Sequence, residues 1–267
     1  MIAYLLCAGF GTRMRPLTEE TPKSLLPVRG RPILDYLMDE LREWTTLDAI
    51  HVAVNHRDAD AFRTWASEWR PIFGAEDVTV QVHDDGVSTP DEQLGAVGDL
   101  HFLLERTDFP DDGALVSGGD SLYRVPLAPI LNTFDGTSSR VLALHEPDSA
   151  QRRQSSTLQL DGSRVTGLVE DPDATSSTRI CPSWHLLSPA ALQTVPPYLA
   201  RGGDPDTLGT FIHTLAQQQC VTAIRLPERA HLRLHCNTPA DLERTRRLLD
   251  EESLLLLDAD QVRARLN

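Results

Sequence analysis

Short apolar runs alternate with helical segments over the first half of the chain. The apolar runs that are typical of buried strands lie at residues 2–7, 50–54, 78–82 and 114–116. The segments between them that are predicted to be helices lie at residues 32–44, 58–69 and 96–105. The first of these segments carries its apolar side chains at the spacing of an amphipathic helix. A strand–helix alternation of this kind predicts a mostly parallel sheet with helices on both faces.

Beyond residue 140 the pattern changes to strands with little helix between them. These strands are predicted at residues 141–144, 156–160, 164–169 and 184–187. Helices resume at residues 189–199, 207–218 and 239–249, and the segment after residue 250 is predicted to be a packed helical tail. We therefore predict one α/β domain with three α/β/α layers. Its two halves are residues 1–140 and 141–250, and its tail is residues 251–267.

Composition and charge argue against several classes of protein. With 40% hydrophobic and 24% charged residues, the 267-residue chain has an ordinary globular composition. A formal net charge of −14 argues against a broad basic surface for long nucleic acids, but a nucleotide needs only a local cluster of cations. No run approaches the ~20 apolar residues that cross a membrane. We expect a cytoplasmic protein without nucleic-acid or membrane partners. The sequence is compatible with a homo-oligomer and does not settle the oligomeric state.

The glycine-rich segment directly after the first strand carries the candidate chemistry. Gly9 and Gly11 let the backbone approach a ligand closely and direct its N–H groups at phosphate oxygens. Met14 occupies the place of the third glycine in a dinucleotide-binding fingerprint, and no Walker lysine follows. Two other cations follow instead, Arg13 and Lys23. The loop between them is too long for a tight dinucleotide turn, which disfavours an NAD-dependent oxidoreductase.

The same segment resembles the signature of the sugar nucleotidyltransferases, which reads roughly L-A-x-G-x-G-T-R-x-x-P-L-T and then P-K-x-L-L-P-V-x-G-x-P. The matching residues are Leu6, Ala8, Gly9, Gly11, Thr12, Arg13, Pro16, Leu17, Thr18, Pro22, Lys23, Leu25, Leu26, Pro27, Val28, Gly30 and Pro32. Because each residue type occurs at about 5–7%, so many matches at fixed spacing are rare by chance. Further on, segments that begin at Leu94, Gly119, Val169 and Asn237 look like the family's L-G-T-A-G, G-D, V-E-K-P and G-T-P-E-D.

The resemblance implies a fold, a reaction and a set of site residues. The fold is the Rossmann-like nucleotide-diphospho-sugar transferase fold. The reaction joins a nucleoside triphosphate to a sugar 1-phosphate and gives a nucleoside diphosphate sugar and pyrophosphate. Arg13 and Lys23 are the implied catalytic residues, because cations there offset the charge that develops on the leaving pyrophosphate. Asp120 is the implied ligand of Mg²⁺, with Mn²⁺ as the alternative. The implied nucleotide-binding residues are Leu6, Ala8, Gly9, Gly11, Thr12, Arg13, Lys23, Leu94 and Gly95.

Three departures from the family pattern affect the second half of the site. His235 stands where a second metal-binding aspartate is usual, and an imidazole ligand suits Mn²⁺ better than Mg²⁺. Asp171 replaces the lysine of E-K-P beside the expected substrate contact Glu170, which makes Arg201 a candidate for the lost charge. The usual G-I-Y segment begins here at Ser183, a further expected substrate contact, so the substrate pocket is altered.

These departures leave two alternatives to the sugar reaction. The altered segment at Ser183 is compatible with a non-sugar acceptor such as phosphocholine. The replaced metal ligand and the missing lysine are compatible with a catalytically weak regulator that binds nucleotide sugars.

Overall fold

The computed structural model describes residues 1–153, 155–169 and 177–266, and a ten-stranded sheet forms the centre of this part of the chain. The strands are β1 Ile2–Leu6, β2 Pro27–Val28, β3 Arg31–Pro32, β4 Ala49–Val54, β5 Thr79–Asp84, β6 Ala114–Gly118, β7 Ser121–Tyr123, β8 Ser139–His145, β9 Ser156–Asp161, β10 Arg164–Val169, β11 Arg179–Cys181, β12 Trp184–Leu187, β13 Val221–Arg225 and β14 Arg233–His235. The helices are α1 Asp35–Arg42, α2 Ala59–Gly74, α3 Ala96–Leu104, α4 Ala128–Leu131, α5 Ser149–Arg152, α6 Pro189–Leu192, α7 Val195–Ala200, α8 Leu208–Gln218, α9 Pro239–Glu251 and α10 Ala259–Arg263.

The central sheet has the strand order β11-β9-β10-β13-β8-β12-β6-β1-β4-β5. Its N-terminal part, β6-β1-β4-β5, is parallel throughout, and β8 and β13 also pair in parallel. The other neighbours in the sheet are antiparallel. The predicted α/β class is confirmed, whereas the parallel arrangement holds mainly for the first half. The physical reason is clear at β9 and β10, because the two residues between them suffice only for an antiparallel hairpin.

Both faces of the sheet are covered, which gives the three layers that were predicted. Ala3 and Leu5 of β1 belong to one apolar cluster together with Phe62 of α2. Tyr4, on the opposite face of the same strand, belongs to a second cluster with Val97 of α3. A strand buried on both faces reads as a continuous apolar run, as residues 2–7 do. No helix of the described chain is long and apolar enough to cross a membrane.

Most of the predicted elements are present, with shifts at their ends. The helix predicted at 32–44 begins only at Asp35, because Arg31–Pro32 pairs with Pro27–Val28 as a small hairpin. The helix predicted at 189–199 is interrupted after Leu192 and resumes at Val195. Strand β13 was not predicted, although it is central in the second half of the sheet.

The tail after α9 packs on the protein, but only a short part of it is helical. The fully buried Arg124 donates hydrogen bonds to the carbonyl oxygens of Ser253 and Leu254 and pairs with Glu252. These hydrogen bonds hold the backbone at Ser253 and Leu254 in a non-helical conformation. The helix of the tail forms only at Ala259–Arg263. Since a buried guanidinium needs partners, this contact ties the tail to the loop after β7.

A third apolar cluster connects the glycine-rich segment with the C-terminal half. Met14 and Val28 from the first half pack there with Leu234 of β14 and Leu242 of α9. This cluster brings the glycine-rich segment close to the residues that precede α9.

Candidate active site

The loop that follows β1 is fixed on its inner side and open on its outer side. Gly11 has a φ of +60°, and a Cβ there would lie 3.0 Å from Thr18 Cγ2, so a side chain is disfavoured twice. The Thr18 hydroxyl donates a 2.7 Å hydrogen bond to the Gly11 carbonyl. Among the described residues, no acceptor pairs with the backbone N–H groups of Gly9, Gly11, Thr12 and Arg13. Several N–H groups on one loop are a binding site for an anion.

Four side chains from distant parts of the sequence meet below this loop. The Lys23 ammonium donates to Asp120 Oδ2 at 2.6 Å and to Asn237 Oδ1 at 3.0 Å. His235 Nε2 lies 3.1 Å from the same Asp120 Oδ2. The partly buried ammonium group of Lys23 is satisfied here, because a carboxylate oxygen and an amide oxygen both accept hydrogen bonds from it.

The fold explains why these four residues meet. Asp120 follows the carboxyl end of β6, which neighbours β1 in the parallel sheet. Gly119 allows the close approach of the two loops, because a Cβ there would lie 2.6 Å from both Cys7 Sγ and Ser24 Oγ. His235 is brought in by the pairing of β14 with β7, in which it lies opposite Ser121.

Asn237 immediately precedes the N-cap of α9. The N-cap is Thr238, whose side chain accepts from the backbone N–H of Asp241 in a capping box. This capping fixes the start of the helix and, with it, the direction in which Asn237 enters the cluster.

The charges in this cluster are set by burial and by the neighbouring cations. Burial raises the pKa of the Asp120 carboxyl, but the adjacent Lys23 and His235 outweigh it and hold that pKa well below its usual value. Burial lowers the pKa of His235 to about 4, and the positive charge of Arg233 adds to this effect. At neutral pH the cluster therefore contains an ionised Asp120 and a neutral His235.

Three adjoining cavities lie around the glycine-rich loop and this cluster. The first, here called the loop cavity, measures about 290 Å³ and is lined by Gly9, Gly11, Thr12, Arg13, Lys23, Gln93, Gly118, Gly119, Asp120 and Asn237, among others. The second, the α3 cavity, measures about 350 Å³ and is lined by Leu6, Ala8, Gly9, Asp85, Gln93, Leu94, Gly95, Ala96, Asp99 and Asp206. The third, the β12 cavity, measures about 430 Å³ and includes Arg13, Asp120, Arg153, Ser155, Ser183, His185, Arg233, His235 and Asn237 in its lining.

The shared lining residues make these cavities one cleft. Gly9 belongs to both the loop cavity and the α3 cavity, and Asp120 to both the loop cavity and the β12 cavity. The cleft lies at the carboxyl ends of β1 and β6, where ligands bind in open α/β sheets. A larger cavity of about 690 Å³, beside Met1 and Asp48, contains none of the predicted site residues.

The structure brings most of the predicted residues to this cleft, with two exceptions. Ser183 lines the β12 cavity beside Asp120 and His235, as a substrate contact should. Arg201 instead lines a separate cavity with Tyr198 and Phe211, which shares no residue with the β12 cavity. The sequence-based role of Arg201 as the substitute for the lost lysine therefore has no geometric support. Glu170 and its neighbour Asp171 lie outside the described residues.

Arg233 is a cation of the cleft that the sequence analysis missed. Its guanidinium donates to the hydroxyl oxygens of Ser121 at 3.2 Å and Ser155 at 2.7 Å, and it lines the β12 cavity. Among the described residues it has no acidic partner within ion-pair distance. The one available signal was its spacing, two residues before His235 on a strand, which places both side chains on one face.

Asp120 is the candidate ligand for a divalent cation in the cleft. It is the one carboxylate in contact with Lys23 and His235, and the described residues contain no group of three metal-binding side chains. A single carboxylate oxygen at the junction of two cavities fits Mg²⁺, which keeps several waters and takes its remaining ligands from substrate phosphates. The adjacent His235 nitrogen fits Mn²⁺ as well.

Comparison with known proteins identifies the family of the chain. A family model described as nucleotidyl transferase matches residues 2–202. The low-salt glycan biosynthesis nucleotidyltransferase Agl11 of Haloferax volcanii is 26% identical over 197 residues, which are 73% of this chain and 51% of that protein. The chain thus spans about half the length of this relative. The UTP–glucose-1-phosphate uridylyltransferase AglF of the same organism is 24% identical over 260 residues, covering 95% of this chain and 98% of that protein.

The fold is also found among solved structures. UDP-glucose pyrophosphorylase, solved in complex with UDP-glucose, superposes with a TM-score of 0.72 at 14% identity, covering 94% of this chain and 98% of that one. The family model matches most of the chain, and the structure joins the glycine-rich loop, Lys23 and Asp120 in one cleft. The chain therefore belongs to the nucleotidyl transferase family.

Proposed function

We propose that this protein transfers a nucleotidyl group from a nucleoside triphosphate to a sugar 1-phosphate and releases pyrophosphate. One observation carries the proposal. The cluster of Lys23, Asp120, His235 and Asn237 lies where the loop cavity opens into the β12 cavity. A cation site and a lysine at such a junction serve a reaction in which two phosphate groups meet.

The triphosphate occupies the loop cavity in this proposal. The N–H groups of Gly9, Gly11 and Thr12 are directed at its phosphate oxygens, and the exposed Arg13 adds a planar guanidinium with several donors. As the pyrophosphate leaves, negative charge grows on its oxygens. Fixed donors and cations at that place lower the barrier because they are already oriented.

The metal of the proposal is Mg²⁺, or Mn²⁺ in its place, held by Asp120. When bound there, the ion supplies positive charge that neutralises the phosphate oxygens near the reacting bond. Lys23 contacts Asp120 and is long enough to turn toward an arriving phosphate, since its ammonium is a point charge on a flexible chain. His235 is neutral at neutral pH, so it accepts or donates a hydrogen bond without adding charge.

The acceptor occupies the β12 cavity, with its phosphate toward Asp120 and Lys23. Arg233 and Arg153 line this cavity and supply the positive charge that an incoming phosphate needs. An oxygen of the acceptor phosphate attacks the α-phosphorus, a new P–O bond forms, and the bond from that phosphorus to the pyrophosphate oxygen breaks. No residue becomes covalently attached. The base lies in the α3 cavity against Ala8, Gly9, Leu94 and Gly95.

Both substrates are small phosphorylated metabolites, and we expect the protein to work in the cytoplasm, where such triphosphates are made. A pyrophosphate-release assay with four triphosphates, each combined with sugar 1-phosphates and with phosphocholine, tests the proposal. Release that requires both a triphosphate and a sugar 1-phosphate is the expected result. Release with phosphocholine alone would shift the function to a non-sugar acceptor. Binding of nucleotide sugars without release would shift it to a regulator.

A further inference from the structure

The α3 cavity contains a buried carboxyl group that the proposed transfer itself does not use. Asp99 lies in the first turn of α3, lines this cavity and is 6% exposed. Its Oδ1 is buried without a hydrogen-bond partner among the described residues. A buried acceptor that no protein group satisfies is costly unless a ligand supplies a donor.

The other polar side chains of the cavity reinforce this preference for donors. Asp85 and Asp206 also line it, and neither lysine nor arginine of the described chain does. The amide of Gln93 is already engaged, because it donates a 2.8 Å hydrogen bond to the Pro90 carbonyl. Three carboxyl groups and no cation make this part of the cleft unsuitable for a phosphate and suitable for a base with N–H groups.

The backbone supplies the complementary donors. Within the part of the chain that the structure describes, the N–H groups of Ala8 and Gly95 have no acceptor. The cavity therefore pairs backbone donors with a carboxyl acceptor. A complementary base edge presents one acceptor next to hydrogen-bond donors.

Of the common bases, guanine matches this pattern best. It presents the O6 acceptor, the N1–H donor and the 2-amino donor in a row. Uracil and thymine flank their single N3–H with two carbonyl oxygens, one of which would face the carboxylate. Adenine and cytosine have an amino group but no ring N–H beside it. Two adjacent donors are also what a carboxylate accepts in a bidentate contact.

We propose that Asp99 accepts hydrogen bonds from the N1–H and the 2-amino group of guanine and thereby makes GTP the preferred triphosphate. This inference rests on the proposed nucleotidyl transfer. Burial raises the pKa of Asp99 to about 7, and two N–H donors favour its ionised form, so that the bound base stabilises the carboxylate.

The first test changes the base and leaves the protein intact. We expect the wild-type chain to bind GTP at least roughly 10-fold more tightly than inosine triphosphate, which lacks only the 2-amino group. Xanthosine triphosphate, with a carbonyl oxygen in place of that amino group, and UTP should bind as weakly or more weakly. Calorimetry with each triphosphate and MgCl₂, without an acceptor, gives these affinities independently of turnover.

The second test changes the acceptor on the protein. The amide of Asp99→Asn still accepts from N1–H but donates to the second position, so we expect this variant to prefer xanthosine triphosphate over GTP. Asp108→Asn removes the same charge at an exposed position outside the cleft and should keep the GTP preference. Thermal unfolding of both variants establishes whether they fold. If Asp99→Asn does not fold, the comparison of GTP with inosine triphosphate still tests the inference, because it uses the wild-type protein.

The outcomes separate this inference from the proposed function. A wild-type preference for UTP or thymidine triphosphate, or equal binding of GTP and inosine triphosphate, would overturn the role of Asp99. So would a GTP preference that Asp99→Asn retains, because the backbone would then select the base. Binding of GTP with the expected base preference, but without pyrophosphate release from any acceptor, would support Asp99 while contradicting the transfer reaction.

Discussion

The ammonium nitrogen of Lys23 lies 2.6 Å from Oδ2 of Asp120, although the two residues are 97 positions apart in the sequence. The contact joins the loop after β1 to the end of β6, two strands that are neighbours in the parallel part of the sheet. In the free protein each group neutralises the other. In the proposed reaction the triphosphate brings negative charge to Lys23 and its cation brings positive charge to Asp120. The two residues of the ion pair therefore mark the positions that we propose for the two ligands.

The guanidinium of Arg13 is expected to act in the transition state and not in folding. It is exposed and lines the loop cavity, so Arg13→Ala should lower kcat/KM by about 10²–10³-fold. The melting temperature should hardly change, because an exposed loop arginine adds little stability. Arg15→Ala is the matched control, since Arg15 is also exposed and does not line the loop cavity. Turnover near the wild-type level in Arg13→Ala would remove Arg13 from the mechanism.

The space beside Gly9 is expected to belong to the nucleotide. A Cβ at Gly9 would meet no protein atom within 4 Å, so Gly9→Val should fold normally. Its side chain would enter the space between the loop and α3 cavities and weaken triphosphate binding at least ~10-fold, or 1.4 kcal/mol. Gly74→Val, where a Cβ also meets nothing within 4 Å, is the control outside the cleft. Unchanged affinity of Gly9→Val in calorimetry would move the nucleotide elsewhere.

Arg233 is expected to hold the acceptor, whereas Arg201 is not. Arg233→Ala should raise KM for the sugar 1-phosphate by roughly 10–100-fold, the usual loss for a hydrogen bond to a charged group. The KM for the triphosphate should change little, and Arg233→Lys should recover part of the loss. Arg201→Ala should leave both KM values within about twofold, because Arg201 lies in a different cavity. Steady-state kinetics with each substrate varied in turn decides between the two arginines, and the reverse order of effects would restore the sequence-based choice.

The burial of Asp99 predicts a pH dependence of stability. Burial, with a smaller contribution from Asp85, raises the pKa of Asp99 from 3.8 to about 7. The folded protein therefore keeps a proton that the unfolded chain releases, and this stabilisation is complete below pH ~4 and lost as the pH rises through ~7. The side chain of Asp99→Asn has no proton to lose. The free energy of unfolding of this variant should therefore exceed that of the wild type by an amount that grows between pH 5 and 8.

At ~1.4 kcal/mol per unit of pKa shift, the pH-dependent part of this difference in the free energy of unfolding is at most ~4 kcal/mol. Urea unfolding of both proteins at several pH values without nucleotide measures it. An advantage that is the same at pH 5 and at pH 8 would mean that Asp99 ionises normally in the folded protein.

Much of the first half of the site was predictable because it is continuous in sequence. The loop from Leu6 to Lys23 follows an apolar strand directly, so its residues stay together in any fold that contains that strand. Asp120 was predictable for a similar reason, since it ends a second buried strand. Parallel strands place their carboxyl ends at one edge of the sheet.

The second half of the site depends on pairings that leave little trace in the sequence. Arg233 reaches Ser121 and Ser155 only because the three-residue strands β7 and β14 pair across more than 100 residues. Strands this short show no clear alternation of apolar and polar positions. Arg201 was a plausible choice from its motif alone, but α7 directs it into a cavity between α7 and α8.

The fate of labelled phosphate tests the central claim most directly. Wild-type protein is incubated with Mg²⁺, a sugar 1-phosphate and its preferred triphosphate, labelled with ³²P on the α-phosphate in one sample and on the γ-phosphate in another. We expect the α-label in a nucleoside diphosphate sugar and the γ-label in pyrophosphate, and neither product from Asp120→Asn or Lys23→Ala. Appearance of the γ-label in the sugar product, or in inorganic phosphate without any nucleotide sugar, would contradict nucleotidyl transfer.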